Sequence, residues 1–248
     1  MANLDKLEFL LVSGDGISDA GVALLAKLPH LSELNLMTPL LTNEGLRQLG
    51  NCRSLTSLDL KDSRHNISIA GMNYLNSLTN LKYLWVHNVA QDQATLQLGG
   101  LKNLEVLTLE MRRSGPRNNR VQDSWRDEDC ACLAQMRNLR QLSISGAGDA
   151  GMKYLAGLEK MERLGLSRME ISDQGMEYLS GMKRLFQLGV DGSTLTDATL
   201  ARLEKLKGLN YLSVKSEAGF SQAAVERLRR SLPGLITCQI DPIDNNPQ

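Results

Sequence analysis

Apolar residues recur along this chain at a fixed spacing. One unit reads LxxLxxLxLxx, then a short polar turn, then [ST]-x-x-G-[apolar]-xx-L. Residues 28–49 (LPHLSELNLMTPLLTNEGLRQL), 136–155 (MRNLRQLSISGAGDAGMKYL) and 158–179 (LEKMERLGLSRMEISDQGMEYL) are three copies. The second apolar anchor falls at Leu7, Leu31, Leu55, Leu81, Leu104, Leu139, Met161, Leu185, Leu209 and Leu235, giving steps of 24, 24, 26, 23, 35, 22, 24, 24 and 26 residues. A period near 24 held from end to end predicts a stack of like supersecondary units.

Within a unit the periodicity changes. The LxLxx stretch alternates, so Leu34 and Leu36 point inward and Glu33, Asn35 and Met37 outward on a strand. The segment after the turn has helical spacing, as in Val22 and Leu25 or Met176 and Leu179. Ser18, Thr42, Ser68, Ser172, Thr196 and Ser221 stand where helix N-caps belong. Gly21, Gly45, Gly71, Gly151 and Gly175 recur in the first helical turn, which predicts close approach of neighbouring backbones. One glycine per repeat is not a phosphate-binding loop. Stacked units place a parallel sheet on one side and short helices on the other. Helices are wider than strands, so the stack should curve with its sheet inside.

These motifs resemble the leucine-rich-repeat superfamily over about residues 4–240, and the S/T-D-x-G-L element resembles its ribonuclease-inhibitor-like branch, which includes F-box substrate receptors and many bacterial repeat proteins. There is no F-box segment, and the cysteine common at the repeat start in F-box relatives is replaced except at Cys52, which favours the bacterial type of repeat. The resemblance implies an α/β fold: a right-handed solenoid with a concave parallel sheet and convex short helices. The expected organisation is one domain, residues 1–248. It comprises nine strand–helix repeats, a final strand (LITCQI), an insertion at 111–128 and a C-terminal cap at about 221–241.

Composition narrows the function. Lys and Arg total 28, as do Asp and Glu, so bulk electrostatics do not favour a nucleic acid or an anionic membrane. No apolar run reaches transmembrane length, and MANLDKLEFLL passes into DGISDAG without the order of a signal peptide. A cytoplasmic location is expected. Cys52, Cys130 and Cys238 fall on apolar repeat positions and read as reduced, buried thiols, whereas Cys132 is expected to face solvent. Only three residues precede Leu4, the first anchor, so the first strand is expected either to continue into further repeats or to self-associate.

Candidate chemistry is sparse. His30, His65 and His87 belong to different repeats. His65 and His87, with Asp62 and Glu110, form a conceivable acid–base or metal cluster; the plainer reading is a solvated rim. Cys130 and Cys132 diverge by about 200° on a helix and make no zinc half-site. The sequence therefore predicts no catalytic residue, metal or cofactor.

The outward strand positions form three columns, and repeat 4 places Tyr83, Trp85 and His87 on one strand. Trp and Tyr are frequent binding hot spots because they bury much area with few rotors to freeze. Phe9 and Tyr211 occupy the first of these columns. The insertion leaves beside repeat 4 after Glu110 and carries Arg112, Arg113, Arg117 and Trp125. It reads either as a binding loop or as a solvated one; the plainer reading of the aromatic cluster is that this loop shields it. The expected function is non-catalytic binding of a protein partner through the concave sheet and this loop. The alternative is the substrate-recognition fragment of a larger modifying enzyme, such as a ubiquitin-ligase-type receptor.

Overall fold

A computed structural model describes residues 4–61, 66–111, 113, 114, 121, 122 and 124–240, the residues at 113–114 and 121–122 as backbone alone. Ten strands among these form one parallel sheet: β1 (Phe9–Ser13), β2 (Glu33–Met37), β3 (Ser57–Lys61), β4 (Tyr83–Val89), β5 (Val106–Met111), β8 (Gln141–Ser145), β9 (Arg163–Ser172), β10 (Gln187–Thr194), β11 (Tyr211–Lys215) and β12 (Thr237–Ile240). Their order in the sheet is their order in the chain. Between β5 and β8 the insertion forms a small antiparallel pair, β6 (Arg113–Ser114) with β7 (Val121–Gln122).

The register follows the repeat. Leu34, Leu58, Leu84, Leu107, Leu142, Leu164, Leu188 and Leu212 lie opposite one another along the stack and are at most 2% exposed. They belong to one hydrophobic core that runs from Val22 to Ile240. The helices close that core from the other side: α1 (Asp19–Leu25), α2 (Asn43–Leu49), α3 (Ile69–Met72), α4 (Asp149–Met152), α5 (Asp197–Leu203) and α6 (Gln222–Ser231). Several repeats finish or replace the helix with a 3-10 turn, as at Asn73–Ser77 and Gly175–Gly181.

What locks one repeat to the next is an acidic ladder at the helix starts. Asp149 accepts hydrogen bonds from the Ser172 N–H (2.9 Å) and hydroxyl (2.5 Å) of the following repeat. Asp19 does the same for Thr42, Asp173 for Thr196 and Asp197 for Ser221. The expected caps are therefore half of a larger device. Thr42, Ser172, Thr196 and Ser221 do cap their own segments, but Ser18 and Ser68 make no such bond.

The ladder also explains the recurrent glycine: at Gly45, Gly151 and Gly175 it makes room for a carboxylate and at Gly71 for the Asn43 amide, not, as expected, for a backbone, while Gly21 meets only Ile17. A Cβ on Gly175 would lie 2.2 Å from Asp149 Oδ1, and one on Gly45 would lie 2.3 Å from Asp19 Oδ1. Where Thr199 replaces the glycine, its hydroxyl donates to Asp173 Oδ1 at 2.5 Å.

Repeat 4 departs from the pattern: residues 91–98 form no helix, although Leu96 and Leu98 are still buried. The end of the insertion fills that place. Asp129, fully buried, accepts from the Leu96 N–H (2.9 Å), the Arg126 N–H (3.0 Å) and the Arg126 guanidinium (3.1 Å). Arg126 in turn donates to the Ala94 carbonyl. Trp125 is 2% exposed, and its backbone N–H donates to the Ser145 carbonyl at 2.9 Å. Gly146, at φ 90°, leaves the space against Ser124 that this approach needs. Trp125 is thus a core residue, which removes it from the expected binding surface. Cys132 is buried too, contrary to expectation, with its thiol donating to the Asp129 carbonyl at 3.2 Å.

Candidate functional site

Alternation on β4 turns Leu84 and Val86 into the core and leaves Tyr83, Trp85 and His87 half-buried on the open face of the sheet. The Tyr83 and Trp85 rings stack with centroids 5.9 Å apart and planes 6° from parallel. Such a stack restrains the rotation of both rings. His87 Nδ1 lies 2.8 Å from Glu110 Oε2 on β5, which joins the two strands at their C-terminal ends. Asn88, with φ 62°, then turns the chain so that Val89 is buried again.

Trp85 lies opposite Asp59 of β3 on one side and Thr108 of β5 on the other. The Asp59 carboxylate pairs through Oδ2 with Lys61 Nζ at 2.7 Å, while Oδ1 is buried and has no hydrogen-bond partner among the described residues. A dry, unbonded oxygen of this kind costs about 1–3 kcal/mol. Beside it a pocket of about 160 Å³ opens between β1, β2 and β3, lined chiefly by Leu11, Asn35, Met37, Asp59 and Lys61. Exposed apolar side chains continue outward: Phe9 at 53%, Leu11 at 62% and Met37 at 45%.

The structure gathers some of the expected residues and separates others. Tyr83, Trp85, His87 and Glu110 form one cluster on β4 and β5. Phe9 is three strands away on β1, beyond the polar outward positions of β3. Tyr211, 40% exposed on β11, lies five strands beyond β4, roughly 24 Å at the usual strand spacing. Arg112, Arg117, Asp62 and His65 fall outside the described residues, and Arg113 is described only as backbone in β6. Reading the sequence missed Asp59. The signal available was a carboxylate standing beside the Trp85 position in the second outward column.

Other reactive groups are held inert. Burial pushes the Cys130 thiol well above its ordinary range and the Cys132 thiol up to about 11. A protonated, buried thiol is a poor nucleophile. Among the described residues no helix is long and apolar enough to cross a membrane.

No protein-family model matches the chain, and no curated protein matches it in sequence. Solved structures do match. Internalin C2 from Listeria monocytogenes superposes with a TM-score of 0.61 and 23% identity, over 87% of this chain and 83% of that one. Internalin F from the same organism gives 0.53 and 16%, over 94% and 80%. Identities this low speak to the fold alone, and together with the ten-stranded parallel sheet they show it to be a curved leucine-rich-repeat solenoid.

Proposed function

We propose that this chain is a non-catalytic protein-interaction scaffold that takes its partner on the concave face of β1–β5. The observation that carries this reading is the stacked Tyr83–Trp85 pair on the open face, with the exposed apolar side chains Phe9, Leu11 and Met37 on the same face beyond the polar β3. Apolar side chains gathered on an exposed face gain by being covered, and rigid aromatic pairs concentrate that gain. Arg112, Arg113 and Arg117 of the insertion, which follow Glu110 closely in sequence, belong to the same proposed binding region. Four free cysteines fit a reducing compartment such as the cytoplasm.

The test is capture with the wild-type chain, followed by calorimetry of the retained protein with wild-type and Trp85→Ala chains. The reading expects Trp85→Ala to weaken that complex by about 2 kcal/mol, roughly 30-fold, with an unchanged melting temperature. Equal affinities for the two chains would refute it.

A further inference from the structure

We infer that the pocket over Asp59 receives an arginine side chain of the partner protein, an inference that rests on the concave-face reading above. Three observations converge on this. The first is charge. The chain as a whole is neutral, yet the open-face positions of β1–β5 carry Glu33, Asp59 and Glu110 against Lys61. The corresponding positions of β8–β11 carry Arg163 and Lys215 against Asp191. Among the described open-face strand positions, the half with the aromatic pair carries the more acidic set.

The second is Asp59 itself. Its Oδ2 is engaged by Lys61, but its buried Oδ1 has no hydrogen-bond partner among the described residues. Lys61 is 46% exposed on a flexible stem, so it can swing aside and open the carboxylate to a second donor. A guanidinium fits better than an ammonium, because its planar fork can bond a carboxylate with two parallel N–H groups.

The third is the shape and lining. Leu11 and Met37 line the pocket and can cover an apolar stem, and Asn35, the register partner of Asp59 on β2, lines it too. Trp85, the register partner of Asp59, supplies a flat π surface, held in place by Tyr83, on which a guanidinium can stack. Acid, apolar stem channel and aromatic platform are the three parts that arginine recognition needs, and here they adjoin.

The experiment uses the whole chain and a defined probe, N-acetyl-arginine methylamide, with the citrulline analogue as its uncharged isostere. The chain has two tryptophans, and the buried Trp125 serves as an internal control for the Trp85 indole N–H in nitrogen–proton NMR spectra. The arginine probe should shift the Trp85 signal saturably at low salt, at least fivefold more tightly than the citrulline probe. Asp59→Asn should abolish the response with the Trp125 signal unmoved. Lys61→Gln, which removes the competing cation, should strengthen it several-fold. Equal response to both probes, or an arginine response that survives Asp59→Asn, would overturn the inference. A protein partner whose binding needs Trp85 but ignores Asp59→Asn would also overturn it while leaving the proposed function intact. A partner indifferent to Trp85→Ala would instead remove the proposed function.

Discussion

The two halves of the concave face share a backbone and differ in what they display. β1–β5 and β8–β11 have the same parallel register and the same buried leucine column. On the open side the first half presents Phe9, Leu11, Met37, Tyr83 and Trp85, and the second presents Ser143, Gly165, Ser167, Gly189 and Ser213. Glycine inside a strand costs about 0.5–1 kcal/mol relative to alanine, so the bare half gains nothing in stability from being bare. The inward columns and the acidic ladder make the solenoid. The outward columns are free to vary, and they separate a surface built to be covered from one that is not.

The largest expected effect should ignore this division. Leu84→Asp, beneath the aromatic pair, and Leu164→Asp, in the plain half, each bury an unpaired carboxylate. Each should cost several kcal/mol in denaturant unfolding and uncouple the stack on either side. A mild effect in one half alone would mean that the halves are not structurally equivalent.

Glycine substitutions should sharpen the contrast between ladder and face. Gly175→Ala drives a methyl group into Asp149 and should destabilise by about 2 kcal/mol. Gly189→Ala, on the open face with nothing within 4 Å, should be neutral or stabilising by about 0.5 kcal/mol. Thermal melts of the two variants distinguish them, and similar melting temperatures would contradict the ladder's role.

The ladder should also appear in the response to acid. Burial alone would raise the Asp173 carboxyl, but hydrogen bonds from Thr196 and Thr199 outweigh it and hold the group below the usual carboxylate range. Asp129 is lowered likewise: burial opposes the shift, and bonds from Arg126 and the Leu96 N–H overcome it. A depressed carboxyl stabilises the fold above its unfolded value near 4 and loses that contribution as pH falls through its folded value. Stability should therefore be level above about pH 5 and decline below about pH 4. Asp173→Asn should shallow that decline by a fraction of a kcal/mol, and an unchanged acid limb would count against the ladder.

The inward half of this architecture was legible because it is periodic. Every Leu of the strand column lies where alternation and the step of about 24 residues put it. The acidic ladder was legible in principle: Asp19, Asn43, Asp149, Asp173 and Asp197 stand at matching points of their repeats. Their action on the following repeat, not on their own helix, takes three dimensions to see. Repeat 4 and Trp125 were not legible. Asp129 reaches Leu96 across 33 residues of chain, and no local pattern announces a bond of that span. Without periodicity, a tryptophan in an insertion reads equally well as surface or core. Tyr83, Trp85 and His87 were correctly placed outward, but the Asp59 oxygen left without a partner depends on neighbours from an adjacent repeat.

Hydroxyl-radical footprinting of the chain with and without its bound partner tests the central claim most directly, because side-chain oxidation reports both halves of the face at once. The account predicts protection of Phe9, Met37, Tyr83 and Trp85 in the complex while Tyr211 stays as reactive as in the free chain. Protection of Tyr211 with Tyr83 and Trp85 unchanged would place the partner on the other half and contradict the account.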